Sequence, residues 1–169
     1  MLLLRHLLSI ALLPFVVTVL VPRWLLAGER TDVSPLALLV TGRIAGVVVY
    51  AAGFAMFVWC VLLFARIGGG TLAPWDPTRR LVIVGPYRHV RNPMIAAVLT
   101  MLGGEALFFH SRSIAGWALL VLAINHMYFL VLEEPGLVER FGEEYERYRA
   151  AVPRWVPRLR GWPATGRSD

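Results

Sequence analysis

The segment Gly85–Met94 reads GPYRHVRNPM and separates two long apolar regions of the chain. Its prolines and basic residues are unsuited to a helix interior or to hydrocarbon. The apolar region that follows it ends at the acidic pair Glu133 and Glu134. A basic loop entering a membrane hairpin and an acidic pair leaving it would lie on the same face of the bilayer. The pattern predicts a polar site that binds cations and anions together, as a small zwitterionic ligand would need.

The composition indicates a membrane protein. Hydrophobic residues make up 57% of the 169 positions, whereas soluble domains average roughly 45–50%. The apolar runs are Leu2–Val21, Leu36–Ala65 and Met94–Leu132, and the last is long enough for two helices with a turn near Ser111. A span needs about 20 apolar residues. We therefore expect an all-α integral membrane protein with about four transmembrane helices, a cytoplasmic loop and a C-terminal amphipathic helix.

The distribution of arginine predicts the topology. The formal charge is +6, and all basic residues are arginine. Five arginines lie between positions 66 and 91 and seven between 140 and 167, whereas the two opposite loops hold three. The positive-inside rule places both termini and the central loop in the cytoplasm, which predicts a multi-pass protein of the cytoplasmic (inner) membrane. Because topology explains the basic charge, we expect no nucleic-acid partner.

The chain divides into three predicted parts. Residues 1–66 would form two N-terminal transmembrane helices, residues 67–158 a loop, a helical hairpin and an amphipathic helix, and residues 159–169 a disordered tail. Leu81–Val84 is short and apolar and would be a strand or a packed loop. After Pro135 a new helix is expected, with an apolar-aromatic stripe at three- and four-residue steps. Its members are Leu137, Phe141, Tyr145, Tyr148 and Val152.

Small and ionisable residues within the spans suggest how the helices meet. Glycines at steps of four and seven in the second span, and small residues in the third, favour close helix contact. Arg43 and Glu105 lie at similar expected depths and would either pair or reach the interface separately. The four histidines have no clustered spacing, so no metal site is expected. His126 is expected to be packed or hydrogen-bonded.

These charged residues could have a purely structural role, because arginines beside a membrane orient helices and Glu-Glu-Pro is a common start of a helix. Several ordered blocks nevertheless resemble the isoprenylcysteine carboxyl methyltransferase and phospholipid methyltransferase superfamily, over about residues 68–158. These blocks are Gly85-Pro86-Tyr87, Arg91-Asn92-Pro93-Met94, Glu133-Glu134, Phe141-Gly142-Glu143-Glu144-Tyr145 and Val152-Pro153-Arg154. The resemblance implies an integral-membrane enzyme that uses S-adenosylmethionine.

The resemblance also implies which residues bind the cofactor. The family pattern is Arg-His-Pro-x-Tyr followed, after a hydrophobic hairpin, by Glu-Glu. The matching positions, with others that touch the cofactor in the family, are Arg79, Arg80, Leu81, Val82, Tyr87, Arg91, Asn92, Pro93, Met94, Ile95, Glu133 and Glu134. Glu133 would accept hydrogen bonds from ribose hydroxyls or the cofactor ammonium. Tyr87 would pack on the adenine.

This chain departs from the family pattern in three places. Asn92 stands at the histidine and Ile95 at the tyrosine. Asn92 can hydrogen bond but cannot act as a base, so the base candidates are His89 and Glu134. Phe129 stands where the eukaryotic carboxyl methyltransferases carry an arginine that meets the substrate carboxylate.

Another arginine would then have to meet such a substrate, and Arg149 and Arg154 are the candidates. We expect methyl transfer to a lipophilic acceptor (a carboxylate, thiol or lipid head group) reached from the bilayer, with membrane lipids as partners. A non-catalytic adaptor of the same fold and a nicotinamide-dependent membrane reductase are the alternatives.

Overall fold

The computed structural model describes residues 13–29, 36–68 and 81–163. Five helices follow one another along these segments: α1 (Leu13–Ala27), α2 (Leu36–Leu63), α3 (Pro93–Phe109), α4 (Arg112–Tyr128) and α5 (Glu134–Ala151). A π turn extends α2 through Phe64–Gly68, and a second π turn, Phe129–Glu133, joins α4 to α5. Within the described ranges the protein is helical and contains no strand.

Two of the helical stretches are long and apolar enough to cross a membrane, namely Leu38–Leu63 and Arg112–Ala151. α1 and α3 are apolar but shorter over the residues described. Large apolar side chains cover the outside of α2, where Leu38, Ile44 and Val48 are all more than half exposed. A helix with such an outer surface is suited to lipid. The all-helical membrane architecture is thus supported, whereas the count of four spans is not confirmed.

Glycines bring α2 and α3 into backbone contact, as the spacing predicted. A Cβ atom built on Gly46 would lie 2.6 Å from the Gly104 carbonyl oxygen, and one on Gly104 would lie 2.6 Å from the Tyr50 amide nitrogen. Gly53 meets the Ala97 carbonyl oxygen in the same way, at 2.9 Å. Real side chains do not fit at such distances, so glycine is required at each position. In lipid, where packing drives helix association, such contacts hold the helices together.

Pro135 occupies the first turn of α5, as the sequence predicted. α4 leads into α5 without a gap, because the π turn Phe129–Glu133 joins the two helices. The break comes later, at Gly142, whose φ of 53° and ψ of −131° lie outside the helical region. Glycine adopts positive φ without the steric cost of a side chain. Gly142 is therefore a hinge between two helical segments rather than a residue in a continuous helix.

The apolar-aromatic stripe of α5 packs on the loop that precedes α3. Tyr145, Tyr148 and Val152 are buried against Ile83, and Leu81 lies beside them. Leu81–Ile83 has no regular secondary structure, so the loop alternative for this segment is correct. The amphipathic helix thus covers the loop on the side where α3 begins.

The residues after α5 are held against the same loop. The Trp162 amide donates to the Arg88 carbonyl at 2.8 Å, and Nε of Arg88 donates to the Trp162 carbonyl at 2.5 Å. The Arg158 amide donates to the His89 carbonyl at 3.0 Å. Trp162, which falls in the predicted disordered tail of residues 159–169, is therefore held by specific hydrogen bonds. Residues 164–169 lie outside the described ranges.

The opposite end of the bundle is closed by a tight turn between α3 and α4. His110 is in the left-handed conformation with φ of 53°, and Oγ of Ser111 accepts from the Ile114 amide at 3.0 Å. Glu29 receives hydrogen bonds from the amide and the hydroxyl of Ser113, at 3.1 and 3.0 Å. The side chain of Ser111 contributes most to lowering the pKa of Glu29, and the bonds from Ser113 lower it further. A carboxylate at a helix N-terminus is favoured by the helix dipole.

The possible Arg43–Glu105 pair does not form. Both residues lie in described helices, and the ion pairs found among the described residues join Glu134 to Arg91 and Arg154 instead. Arg43 is exposed. Oε2 of Glu105 is buried and has no hydrogen-bond partner in the described part of the chain.

Candidate active site

Glu134 is the centre of a charged cluster where α4 passes into α5. Its Oε1 atom lies 2.6 Å from Nη1 of Arg91, 2.7 Å from Nη2 of Arg154 and 2.9 Å from Nε of Arg154. The side chains of Glu134, Arg91 and Arg154 are 10%, 11% and 16% exposed. Charge-assisted bonds of this length are strong, and their removal from a buried setting is costly. The cluster joins three segments that are distant in sequence.

Backbone contacts fix the position of Arg91. Its amide donates to the Pro153 carbonyl at 2.9 Å, so the loop before α3 is tied to the segment after α5. Nη1 of Arg91 also approaches the Tyr145 hydroxyl at 3.4 Å. The hydroxyl of Tyr148 donates to the Tyr87 carbonyl at 2.6 Å. The Arg91 guanidinium is therefore held by Glu134 and Tyr145, and the bonds of the Arg91 amide and of Tyr148 hold the loop that carries it.

The cluster carries an unbalanced positive charge. Two guanidiniums face one carboxylate, and Nε of Arg91 is buried without a hydrogen-bond partner among the described residues. A buried donor that lacks a partner costs free energy. A ligand carboxylate would satisfy this donor and neutralise the excess charge.

Glu133 differs from its neighbour in having no hydrogen bond or ion pair within the described ranges. Its nearest charged influences are Arg140 and Glu134. It also lies close enough to Tyr87 and Tyr145 to affect both hydroxyls electrostatically. The Glu133 carboxylate thus retains its capacity to accept hydrogen bonds, beside a cluster with surplus positive charge.

The two base candidates have different surroundings. Nδ1 of His89 lies 2.8 Å from the Arg158 carbonyl oxygen. Because a carbonyl only accepts, Nδ1 carries the proton in this contact, which leaves Nε2 as the acceptor when the ring is neutral. Glu134, by contrast, accepts its short bonds from two arginines. The short bonds from two arginines make Glu134 an anchor, whereas Nε2 of His89 lies next to Gly161.

Tyr87 and Val82 are buried, so the Tyr87 ring does not offer an open face on which an adenine could stack. Both belong to a core cluster with Cys60, and the ring of Phe64 lies 5.4 Å from that of Tyr87 between centroids. Burial is the main cause that raises the pKa of Tyr87 well above its ordinary value. Tyr87 is therefore a neutral phenol whose ring supports the loop from below. Leu81 is half-buried beside α5.

The rest of the loop motif surrounds the start of α3. Asn92 precedes the helix, and its side chain forms no capping hydrogen bond. Pro93 is buried in the first turn, where a missing amide hydrogen is tolerated. Met94 packs on the cluster around Tyr87, and Ile95 is half-buried. Asn92 follows Arg91 directly, and its polar side chain has no hydrogen bond to any residue that the structure describes.

The three substrate candidates lie in different places. Phe129 is buried and stacks near Trp155, with ring centroids 5.8 Å apart. Arg154 joins the charged cluster, whereas Arg149 is exposed on α5. Of the two arginines, the structure brings only Arg154 to the cluster. Arg79 and Arg80 lie outside the described residues.

Sequence reasoning did not identify several side chains that shape the site. Tyr145 and Tyr148 were expected only as members of an apolar stripe, yet their hydroxyls bond Arg91 and the Tyr87 carbonyl. Nε1 of Trp155 donates to Nδ1 of His126 at 3.0 Å, which confirms that His126 is hydrogen-bonded. The sequence did contain a sign of these bonds, because the stripe has tyrosine rather than phenylalanine at two buried positions.

The described part of the chain contains no group of three or more His, Cys, Asp and Glu side chains arranged to hold a metal ion. The chemistry of the cluster is that of guanidinium, carboxylate and phenol groups. Such a set binds small molecules that carry both a carboxylate and hydrogen-bond donors.

Comparison with known proteins gives one match. The phospholipid methyltransferase family matches residues 41–144, which are 104 of the 169 residues. The matched range includes Arg91, Glu133 and Glu134 and ends within α5. No curated protein and no solved structure is significantly similar to the chain. Because the match spans more than half of its length and includes the hairpin and both acidic residues, the chain belongs to the phospholipid methyltransferase family.

Proposed function

We propose that this protein is an S-adenosylmethionine-dependent methyltransferase of the cytoplasmic membrane. In this proposal the chain crosses the membrane four times with both termini in the cytoplasm. The observation that carries the proposal is the Arg91–Glu134–Arg154 cluster beside Glu133, which has no hydrogen bond or ion pair within the described ranges. Membership of the phospholipid methyltransferase family supplies the reaction class.

The residues present fit the cofactor. S-adenosylmethionine has a carboxylate, an ammonium group and ribose hydroxyls, and it supplies an activated methyl group when bound. Nε of Arg91 is a buried donor that has no partner among the residues the structure describes, which suits the carboxylate. Glu133 has free acceptor capacity, which suits the ammonium group or the hydroxyls. Asn92 would add a further hydrogen bond, and Arg79 and Arg80 are proposed to approach from the loop outside the described residues.

Glu134 and the tyrosines hold this arrangement in place. Glu134 fixes the two guanidiniums, and Tyr145 restrains Arg91 from the side of α5. α5 and the loop before α3 cover the site and exclude water. Methyl transfer is a displacement in line, so positioning is the main contribution of the protein and can supply roughly 7–11 kcal/mol in favourable cases.

The acceptor is proposed to be lipophilic and to reach the site from the bilayer. Arg154 would bind an acidic head group, since it lies at the cluster and its side chain is only 16% exposed. Acceptors that need no base, such as a carboxylate or thiolate, suit the site directly. For an acceptor that must lose a proton, Nε2 of His89 is the proposed base.

The proposal is tested by calorimetric binding of S-adenosylmethionine and S-adenosylhomocysteine to the detergent-purified protein. Glu133→Gln should weaken binding by about tenfold or more, because a hydrogen bond to a charged group is worth about 1.5–3 kcal/mol. Glu139→Gln is the matched control, since Glu139 is exposed on α5. It should bind like the wild type.

Equal affinity of the two variants would contradict the role of Glu133. If the folded wild type binds neither ligand, the methyltransferase proposal fails. A titration with NADPH then separates the reductase from the adaptor, because the reductase alone would bind the dinucleotide.

A further inference from the structure

A second polar site lies at the other end of the bundle, between α1, α2 and α3. It is a cavity of about 580 Å³, within the size range of ligand pockets, roughly 300–1,000 Å³. Its walls are mostly apolar, and its polar side chains are Thr18, Arg23, Tyr50 and Glu105. Glu105 is twelve residues along α3 from Pro93, or about 18 Å at 1.5 Å per residue. The cavity is therefore separate from the candidate active site.

Glu105 has no partner that would explain its presence there. Oε2 is buried and forms no hydrogen bond among the described residues. Tyr50 is close enough to sense its charge, but no hydrogen bond joins the two side chains. An ionisable group within an apolar helix is costly, and such groups usually pair or line a ligand path. Glu105 is thus a lining residue of the cavity, and its buried oxygen has no donor among the described residues.

Arg23 supplies the opposite charge on the same cavity. It is an exposed residue of α1 that lies four positions before the end of that helix, and Glu105 lies four before the end of α3. No ion pair joins Arg23 to Glu105, although both line the cavity. The two charges cancel, so an occupant with one positive and one negative group matches them best.

The surroundings of the cavity indicate an amphiphile. Val19, Val47 and Phe109 line it and are 38%, 55% and 48% exposed. These side chains form an apolar exit toward the outside of the helices, where hydrocarbon chains would lie. The polar residues lie near the helix ends, the depth at which lipid head groups occur.

We propose that this cavity binds one zwitterionic phospholipid, with its ammonium group on Glu105 and its phosphate on Arg23. Guanidinium groups bind phosphate through paired hydrogen bonds. The Glu105 carboxylate at the cavity wall accepts from the ammonium group, which has several donors. The site holds a lipid on the face of the membrane opposite to the candidate active site, and it needs no cofactor.

The test uses the full-length protein in mild detergent and two short-chain lipids with the same acyl chains. Dihexanoyl phosphatidylethanolamine carries the ammonium group, and dihexanoyl phosphatidylglycerol carries a neutral head on the same phosphate. Lipid binding is measured by native mass spectrometry across a titration. The wild type should bind the ethanolamine lipid saturably and about tenfold more tightly than the glycerol lipid.

Glu105→Gln should abolish this preference, and Arg23→Gln should weaken both lipids. Glu139→Gln and Arg160→Gln are the matched controls, because both residues are exposed away from the cavity. Val47→Trp fills the cavity from an exposed position and should block binding without disturbing the fold. A wild type without preference, or a Glu105→Gln variant that keeps it, overturns the proposal. Binding of S-adenosylhomocysteine, measured in parallel, reports on the active site independently.

Discussion

Two carboxylates near opposite ends of α3 have contrasting environments. Glu134, beside the start of the helix, accepts from Arg91 and Arg154 within 2.9 Å. Glu105, near its end, has a buried oxygen without a partner among the described residues. The same side chain is thus a structural anchor at one end and a free acceptor at the other. Two side chains of the same type can therefore have different roles, because the role depends on which groups contact the carboxylate.

The two ends are also held together differently. At the candidate active site, ion pairs and tyrosine hydroxyls join α5, the loop before α3 and the segment after α5. Toward the other end, glycines bring the backbones of α2 and α3 together. Electrostatic contacts position charged groups, whereas close backbone packing leaves no room for adjustment. Substitutions at the two ends should therefore fail for different reasons.

The largest effect is expected from Glu134→Gln. The change leaves two guanidiniums that are 11% and 16% exposed without their counter-charge, and breaking a buried pair costs about 3–5 kcal/mol. The free energy of unfolding is measured by equilibrium denaturation in mild detergent. Glu105→Gln should stay within about 0.5 kcal/mol of the wild type, because no protein contact is lost. Equal losses in both variants would contradict the contrast between the two carboxylates.

A smaller effect is expected from Gly104→Ala. The new methyl group would lie 2.6 Å from the Tyr50 amide nitrogen and 2.8 Å from the Gly46 carbonyl oxygen, so α2 and α3 must separate. Overpacking of this kind costs about 1–3 kcal/mol. The control is the adjacent Gly103→Ala, where nothing lies within 4 Å of the added atom. That variant should gain stability, since alanine favours helix over glycine by about 0.8–1 kcal/mol.

The same denaturation measurement decides between the two glycines. If both alanine variants are stabilised, the helices are not in backbone contact at Gly104. A loss of stability in Gly104→Ala alone would show that close backbone packing holds α2 and α3 together at this end.

The smallest effect is expected from Ser111→Ala, at the end that carries Glu105. Oγ of Ser111 accepts from the Ile114 amide and caps α4, and the loss of such a cap typically costs about 1 kcal/mol. Thr100→Ala is the control, because the Thr100 hydroxyl is exposed and bonds within its own helix. Thermal unfolding of both variants should show a lower midpoint for Ser111→Ala alone. Identical midpoints would show that the turn is not stabilised by its cap.

Much of the fold was predictable because periodicity and hydropathy are local properties. The apolar runs predicted the helices, and the glycine spacing predicted the close contact of α2 with α3. The stripe from Leu137 to Val152 predicted which face of α5 is buried. The hinge at Gly142 was not predicted, because a glycine in a helical pattern is compatible with both a helix and a break.

The candidate site was predictable in part. The order of basic loop and acidic pair placed Arg91 and Glu134 on one side of the membrane. It did not indicate that Arg154 also binds Glu134, or that Glu133 has no ion pair in the described part of the chain, because each depends on where α5 turns back. Arg149 and Arg154 were equal candidates by sequence, and the path of the chain after Ala151 brings only Arg154 to the cluster.

The sequence alone indicates a membrane protein, its apolar helices and the order of its basic and acidic segments. These follow from composition and short-range periodicity, which each segment expresses without its neighbours. Only the tertiary structure decided which charges pair. The partners of Glu134 lie 43 and 20 residues away along the chain, and hydrogen bonds form over a few ångströms. The fold therefore made Glu134 an anchor, whereas Glu133 and one buried oxygen of Glu105 have no hydrogen-bond partner among the described residues.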